Sequence, residues 1–115
     1  MSKAVIFTNQ FKKAAKKILK AEHLKELADY LQANPEAGDL IQGTGGIRKL
    51  RWISPQNNKG KSGGLRIIYH YHDNIVIILI TVYSKSDADN ISEADKNNMK
   101  KYLPEIIKNA MEELG

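Results

Sequence analysis

The chain has 115 residues, of which 42% are hydrophobic and 27% charged, so residues 1–115 have the size and composition of a single globular domain. The formal net charge of +5 is compatible with a polyanionic partner, whereas the absence of cysteine excludes disulfide frameworks, thiolate nucleophiles and cysteine-ligated metal centres. No apolar run approaches the roughly 20 residues that cross a membrane, and the N-terminal residues lack the apolar stretch of a secretory signal, so we expect a cytoplasmic protein with no membrane association.

The N-terminal third of the chain predicts a strand followed by a helical hairpin. Residues 4–8 are a short apolar stretch with a β-branched pair, and Thr8 or Asn9 can then cap a helix. Apolar residues recur at helical spacing in two successive segments, namely Phe11, Ala15, Ile18 and Leu19, then Leu24, Leu27, Ala28 and Leu31. We expect the second helix to end before Pro35, because a proline disfavours helix at the residue before it.

A glycine-rich segment, residues 37–46, predicts a loop that leads into a basic strand. The segment carries four of the eight glycines. Residues 47–53 then alternate as a half-buried strand does, with Lys49 and Arg51 on one side and Arg48 on the other.

Residues 65–72 and 75–83 predict two further strands. A polar segment rich in turn residues, 54–64, joins them to the basic strand as a long hairpin loop. Asp73 and Asn74 separate the two strands as a two-residue turn, since both residue types tolerate positive φ. The last strand is apolar on both sides, which indicates a central position in the sheet.

The C-terminal segment predicts helix and completes the fold class. Ser92 and Asp95 have the spacing of a capping box for a helix over residues 93–102, and Pro104 can begin a further helical segment as a first-turn residue. The predicted order is β-α-α-β-β-β-α, an α+β fold in which an antiparallel sheet packs against helices.

Positive charge is concentrated in the middle of the chain. Residues 41–72 contain no Asp or Glu and include every arginine of the chain. Their basic residues are Arg48, Lys49, Arg51, Lys59, Lys61 and Arg66. Because arginine suits bidentate contact with phosphate, this clustering favours a nucleic-acid partner. The lysines of residues 12–20 have helical spacing, which is more typical of a solvated helix face.

The basic residues, together with the tyrosines near them, suit RNA. Cleavage of an RNA backbone needs no metal where the 2′-hydroxyl is the nucleophile, because the protein then has only to orient it, stabilise charge and move protons. We expect no cofactor and no metal, since the histidines lack a carboxylate at ligand spacing. His70 and His72 share strand parity with Arg66 and are candidates for minor contacts at the same surface.

Three stretches of sequence resemble one known family. They are residues 38–51 (GDLIQGTGGIRKLR), residues 63–69 (GGLRIIY) and residues 79–85 (LITVYSK). In this order they resemble the RelE/ParE superfamily of toxins from bacterial type II toxin–antitoxin systems, nearest its HigB-like branch. Together with the order of elements, the resemblance covers nearly the whole chain.

The resemblance implies an mRNA interferase that cuts the codon in the ribosomal A site, by 2′-hydroxyl attack that leaves a cyclic phosphate and a 5′-hydroxyl. It also implies a cognate antitoxin, of the helix-turn-helix, HigA-like kind. Two rival interpretations stay open at this point. One is a non-catalytic toxin like the ParE branch, which poisons DNA gyrase by binding, and the other is an inactive relic that only binds its partner.

The resemblance also implies the catalytic residues. Arg66 matches the family's strand arginine, which stabilises the phosphate in the transition state, and we expect it to face an open basic surface. Lys49 and Arg51 match its alternating basic pair, which can also be aligned one residue earlier, on Arg48. Lys85 stands where a catalytic arginine is usual.

Arg48 and several further positions are candidates for RNA or ribosome contacts. The tyrosine that some members carry near the last helix falls at about Ile91 here, so Tyr83 or His70 could take its place. Lys59 and Lys61, on the polar hairpin loop, are candidates for phosphate contacts with the ribosome.

Overall fold

The computed structural model describes residues 3–52, 64–84 and 91–115. In these ranges, no helix is long and apolar enough to span a membrane. The elements are β1 (Ala4–Phe7), α1 (Asn9–Ala15), α2 (Ala21–Ala33), β2 (Asp39–Leu40), β3 (Ile47–Trp52), β4 (Leu65–His72), β5 (Val76–Ser84) and α3 (Glu93–Leu114). The α+β class expected from the sequence is therefore confirmed.

The strands form one sheet in the order β1-β5-β4-β3-β2. The pairs among β2, β3, β4 and β5 are antiparallel, but β1 runs parallel to β5, with Ala4 opposite Val76. The expectation of a wholly antiparallel sheet was wrong in this one strand. The long connection from β1 to β5, which contains α1, α2 and three strands, allows a parallel pairing, and the strand pattern itself carries no information on direction.

Helices cover both faces of the sheet, which explains why β5 is apolar on both sides. On one face α1 and α2 pack against the sheet, with Phe11, Leu27 and Leu31 fully buried. On the other face α3 packs through Leu103 and Ala110. We call these two sides the hairpin face and the α3 face. Two separate apolar layers thus hold the sheet, and β5 is flanked by strands on both sides.

Two local features of the fold agree with the predictions from the sequence. The Thr8 hydroxyl accepts a hydrogen bond from the Phe11 N–H and caps α1, as expected. Asp73 and Asn74 both have positive φ, 54° and 59°, and the Ile75 N–H donates to the His72 carbonyl at 3.0 Å. The predicted two-residue turn is therefore confirmed, although regular pairing in β5 begins one residue later than expected.

The helices differ from their expected lengths. Helix α1 ends at Ala15, and the apolar spacing that continues to Leu19 belongs to a turn that buries Leu19 in the same core. Helix α3 is continuous through Pro104, where the sequence predicts a break. Pro104 is exposed. The apolar residues on both sides of it, Leu103 and Ile106, pack on the sheet as one stripe, and this packing offsets the hydrogen bond that proline cannot make.

A buried tyrosine joins the glycine-rich segment to the sheet. Tyr69 on β4 is fully buried, and its hydroxyl donates to the Pro35 carbonyl at 2.9 Å and accepts from the Gly38 N–H at 2.9 Å. The pKa of this phenol is raised above its ordinary value of 10.0, chiefly by burial. Residues 35–38 are thereby fixed against the hairpin face, and β2 follows directly as a short edge strand on β3.

Candidate functional site

Three polar side chains form a row across the α3 face. Arg51 of β3 lies opposite Arg66 of β4, and Arg66 lies opposite Tyr83 of β5. Side chains directly opposite in neighbouring strands have Cβ atoms roughly 5 Å apart and point to the same side of the sheet. The row therefore brings together two arginines and a tyrosine from segments that are distant in the sequence.

A β-bulge in β5 puts Tyr83 into this row. Ile68 pairs with Thr81 but Tyr69 pairs with Leu79, so Ile80 is an extra residue on β5. Strict alternation from Leu79, which packs on the hairpin face, would have carried Tyr83 to that same face. The extra residue reverses the alternation, and Tyr83 packs on the α3 face instead.

Arg66 is more enclosed than the sequence suggested. We expected an arginine facing an open surface, but only 5% of Arg66 is exposed, whereas Arg51 beside it is exposed. That expectation was wrong, because the arginine lies in the middle strand of the row with side chains on both sides of it. An enclosed guanidinium sits in a region of lower effective dielectric, where its charge acts more strongly on a bound anion.

Lys49 lies two residues from Arg51 on the same face, and its side chain lines a groove. This groove, of about 380 Å³, runs between the β2 edge and the start of α3, and we call it the β2–α3 groove. Its lining consists of Asp39, Leu40, Ile41, Gln42, Lys49, Ile91 and Lys96. Gln42 and Lys96 are residues that the sequence analysis missed, and no local pattern marks them. Gln42 reaches the groove through the pairing of β2 with β3, and Lys96 reaches it through the packing of α3.

Arg48 lies on the hairpin face, away from the row. Its guanidinium donates to the carbonyls of Gly38 at 2.7 Å and Glu36 at 3.2 Å, and its side chain is 17% exposed. Through these bonds, Arg48 helps to hold residues 36–38 against the sheet. Of the two possible alignments of the basic pair, the one on Lys49 and Arg51 places both residues on the same face as Arg66.

His70 shares that face but lies at the other end of β4. Four residues separate it from Arg66, or about 13 Å along the strand. Its Nδ1 is 2.9 Å from the Gly46 carbonyl, so Nδ1 carries the proton and donates it. His70 is 8% exposed, and its ring lies 5.5 Å from that of His72. The structure therefore separates this histidine from the Arg51–Arg66–Tyr83 row.

Burial lowers the pKa of His70 below its ordinary value of 6.5, with smaller effects of the same sign from His72 and Arg48 and an opposing effect from the Gly46 hydrogen bond. Below about pH 6.5, His70 should bind a proton in the unfolded chain but not in the folded chain. The free energy of unfolding should therefore decrease as the pH falls from there, until the pH reaches the lower pKa of the folded state.

Urea unfolding at pH 7.5 and 5.5 measures this decrease, and the matched variant is His70→Gln, which cannot titrate. We expect the variant to lose less stability than the wild type between the two pH values. Equal losses in the two proteins would show that His70 is not the source of the acid sensitivity.

Three of the candidate residues, Lys59, Lys61 and Lys85, lie outside the described residues. Among the residues that are described, no group of three or more His, Asp or Glu side chains is placed to hold a metal ion. The chemistry that the row itself offers is electrostatic. An anion bound beside Arg51 and Arg66 would be held by two guanidinium groups, which suit bidentate contact with phosphate.

Two comparisons with known proteins bear on this arrangement. The model of a protein family described as the RelE toxin of the RelE/RelB toxin–antitoxin system matches residues 3–115. The fold is also similar to that of Escherichia coli toxin RelE, in the structure of a mutant in the free state. The TM-score is 0.55 and the sequence identity 22%, over 77% of this chain and 90% of the other. At that identity the second comparison bears on the fold alone.

Proposed function

The chain belongs to the RelE family of toxins from toxin–antitoxin systems, and on this premise we propose that it is a ribosome-dependent mRNA endonuclease of the HigB-like kind that needs no metal ion. The observation that carries the proposal is the Arg51–Arg66–Tyr83 row with Lys49 beside it. A toxin that inhibits by binding alone does not require two arginines and a tyrosine side by side on one face of the sheet. An enzyme that stabilises the developing charge of a phosphorane does require such groups.

The proposed reaction is an internal displacement within the RNA. The 2′-oxygen attacks the adjacent phosphorus and loses its proton, the bond from phosphorus to the 5′-oxygen breaks, and that oxygen takes up a proton. The products are a 2′,3′-cyclic phosphate and a 5′-hydroxyl. Negative charge on the phosphate oxygens increases toward the transition state, and this is the charge that the protein stabilises.

Each residue of the row has a role in this proposal. Arg66, enclosed and central, binds the phosphate oxygens and stabilises the charge that develops on them. Arg51 holds the scissile phosphate from the more open side of the row, and Lys49, two residues along β3, adds positive charge next to it. Tyr83, opposite Arg66, is the candidate for proton transfer, because His70 lies about 13 Å from Arg66 along β4. Lys85 keeps the role that its alignment implies, which is to place a further positive charge beside the phosphate.

The ribosome is expected to supply the rest of the catalytic geometry by presenting the codon in a fixed conformation. Primer extension on mRNA from cells that express the toxin tests the proposal, with gyrase-linked DNA breaks measured in parallel. We expect cuts within translated codons and no DNA breaks. Breaks without cuts would establish a gyrase inhibitor instead, and growth unaffected by expression would establish an inactive relic.

A basic toxin of this kind should be held inactive by an antitoxin of complementary charge. We propose a helix-turn-helix, HigA-like antitoxin with an acidic contact surface that covers the cationic row or blocks entry to the ribosomal A site in the cytoplasm. Electrostatic complementarity speeds association, and salt screens it.

Co-expression with the product of the neighbouring open reading frame checks this expectation. The two proteins should copurify, growth arrest should be relieved, and the association rate should fall as the salt concentration rises. A neighbouring product that neither copurifies nor relieves the arrest would contradict it.

A further inference from the structure

The β2–α3 groove continues the site on the side of Lys49, and none of the proposed catalytic steps uses its other residues. The groove is lined by apolar, cationic and polar side chains. Leu40 is 58% exposed, while Ile41 and Ile91 are half-buried and apolar. Lys49 and Lys96 contribute positive charge from two different elements, and Gln42 contributes an amide that is exposed to solvent. A groove with apolar walls, an amide and two cations has the composition that a nucleotide requires.

Lys96 is available to such a ligand. Its only ion pair within the described residues joins its Nζ to a Glu93 oxygen at 3.7 Å, and the Glu93 side chain is 85% exposed. A contact of that length to an exposed carboxylate contributes little to stability and is readily exchanged for another anion. The amine can therefore turn from Glu93 to a phosphate in the groove without a large cost.

The distance between the β2–α3 groove and the Arg51–Arg66–Tyr83 row fits the spacing of phosphates in an RNA strand. Lys49 and Arg51 are two residues apart on one face of β3, so their Cα atoms are separated by about 7 Å. This separation is close to that between successive phosphates of an extended RNA strand. A phosphate held at Arg51 and Arg66 therefore places the neighbouring phosphate beside Lys49, at the mouth of the groove.

We infer that the β2–α3 groove binds the mRNA nucleotide next to the scissile phosphate, with its phosphate between Lys49 and Lys96 and the edge of its base against Gln42. The inference rests on the proposed function and adds a specificity-determining subsite to it. Leu40 and Ile91 pack against the faces of the base. Asp39, opposite Lys49 in β2, accepts hydrogen bonds from the sugar or the base and repels a second phosphate, so that the groove takes one nucleotide.

The role of Lys96 is tested by cleavage of mRNA on programmed ribosomes, with Lys96→Ala compared with Lys108→Ala. Lys108 is an exposed lysine on the same helix, about 18 Å farther along its axis. For Lys96→Ala we expect KM to rise about tenfold with kcat nearly unchanged, because a phosphate contact is lost away from the scissile bond. The slope of log(kcat/KM) against log salt should become shallower by about 0.7, the value for one phosphate contact on a single strand.

Gln42 is tested by the codon preference of the same reaction. An amide that reads a base edge contributes about tenfold or more in discrimination between bases. We expect Gln42→Ala to change the relative cleavage rates of codons that differ at one nucleotide position, while Arg66 and the rest of the row stay in place. If Gln42→Ala instead changes the cleavage rates of all codons by the same factor, the groove does not read a base, and that part of the inference is overturned.

These experiments separate the groove from the catalytic proposal. If Lys96→Ala matches Lys108→Ala in both KM and salt slope while Arg66→Ala is inactive, the groove inference is overturned and the endonuclease stands. If the wild-type protein cuts no ribosome-bound mRNA, the proposed function fails, and the subsite fails with it.

Discussion

Replacing Arg66 by alanine should lower kcat for mRNA cleavage by about 10²–10³-fold, the effect of removing one preorganised group that stabilises charge in a transition state. Arg66 is 5% exposed in the middle of the Arg51–Arg66–Tyr83 row, so no mobile surface lysine can take over its position. KM should change much less than kcat, because the stabilised charge develops mainly in the transition state. Rates of cleavage on programmed ribosomes measure both constants.

The Arg66 experiment needs a control for folding, because the variant removes a buried side chain. Arg48→Ala removes an arginine from the opposite face of the same sheet. It should lower the free energy of unfolding by about 1–3 kcal/mol, through the loss of charged hydrogen bonds to Gly38 and Glu36, while the folded protein keeps its kcat. Arg66→Lys, which keeps the charge but loses the bidentate geometry, should recover part of the rate. Normal growth arrest by a folded Arg66→Ala protein would refute the assignment.

The second large effect is expected at Gly38, on the stability of the fold. A Cβ at this position would lie 2.8 Å from Tyr69 Cε1, 3.0 Å from the Tyr69 hydroxyl oxygen and 3.1 Å from the carbonyl carbon of Lys49. The tyrosine is fully buried and the Lys49 atom belongs to a strand backbone, so neither can move aside easily. Gly38→Ala should lower the free energy of unfolding by about 2–5 kcal/mol, which combines overpacking with the loss of the Gly38 hydrogen bond to Tyr69.

Urea unfolding of Gly38→Ala, Tyr69→Phe and the double variant checks this prediction. Tyr69→Phe alone should lower the free energy of unfolding by about 1–3 kcal/mol, because it leaves the buried Gly38 N–H without a partner. The double variant should be less destabilised than the sum of the two, since both single changes break the same hydrogen bond. A Gly38→Ala protein as stable as the wild type would show that residues 35–38 can shift away from the sheet.

Local patterns in the sequence predicted the parts of the fold that depend on near neighbours. The helix cap at Thr8 and the turn at Asp73 and Asn74 are of this kind, because their φ angles and hydrogen bonds involve residues within three positions. The parallel direction of β1 and the short strand β2 were missed. Both depend on pairing with strands that lie elsewhere in the chain, and a four-residue or two-residue segment carries too little pattern to specify it.

The site shows the same division between local and distant information. Strand alternation was enough to place Lys49 and Arg51 on one side of β3 and Arg48 on the other. It could not place Tyr83 beside Arg66, because the extra residue at Ile80 reverses the alternation of β5. Nor could it find Lys96, which reaches the groove only through the packing of α3 across the sheet. Assigning their roles rests on family resemblance and on the experiments above.

The parallel pairing of β1 with β5 also has a consequence for when, during synthesis, the chain can complete its sheet. The first strand pairs with residues that lie roughly 70 positions later in the chain, so a large part of the native structure depends on contacts of long sequence separation. Tyr83 is near the end of β5, and α3, which covers that face, follows it. A nascent chain on the ribosome cannot close the sheet until β5 has emerged. We therefore expect the Arg51–Arg66–Tyr83 row to form only after β5 has been synthesised, and any activity that depends on the row to appear no earlier.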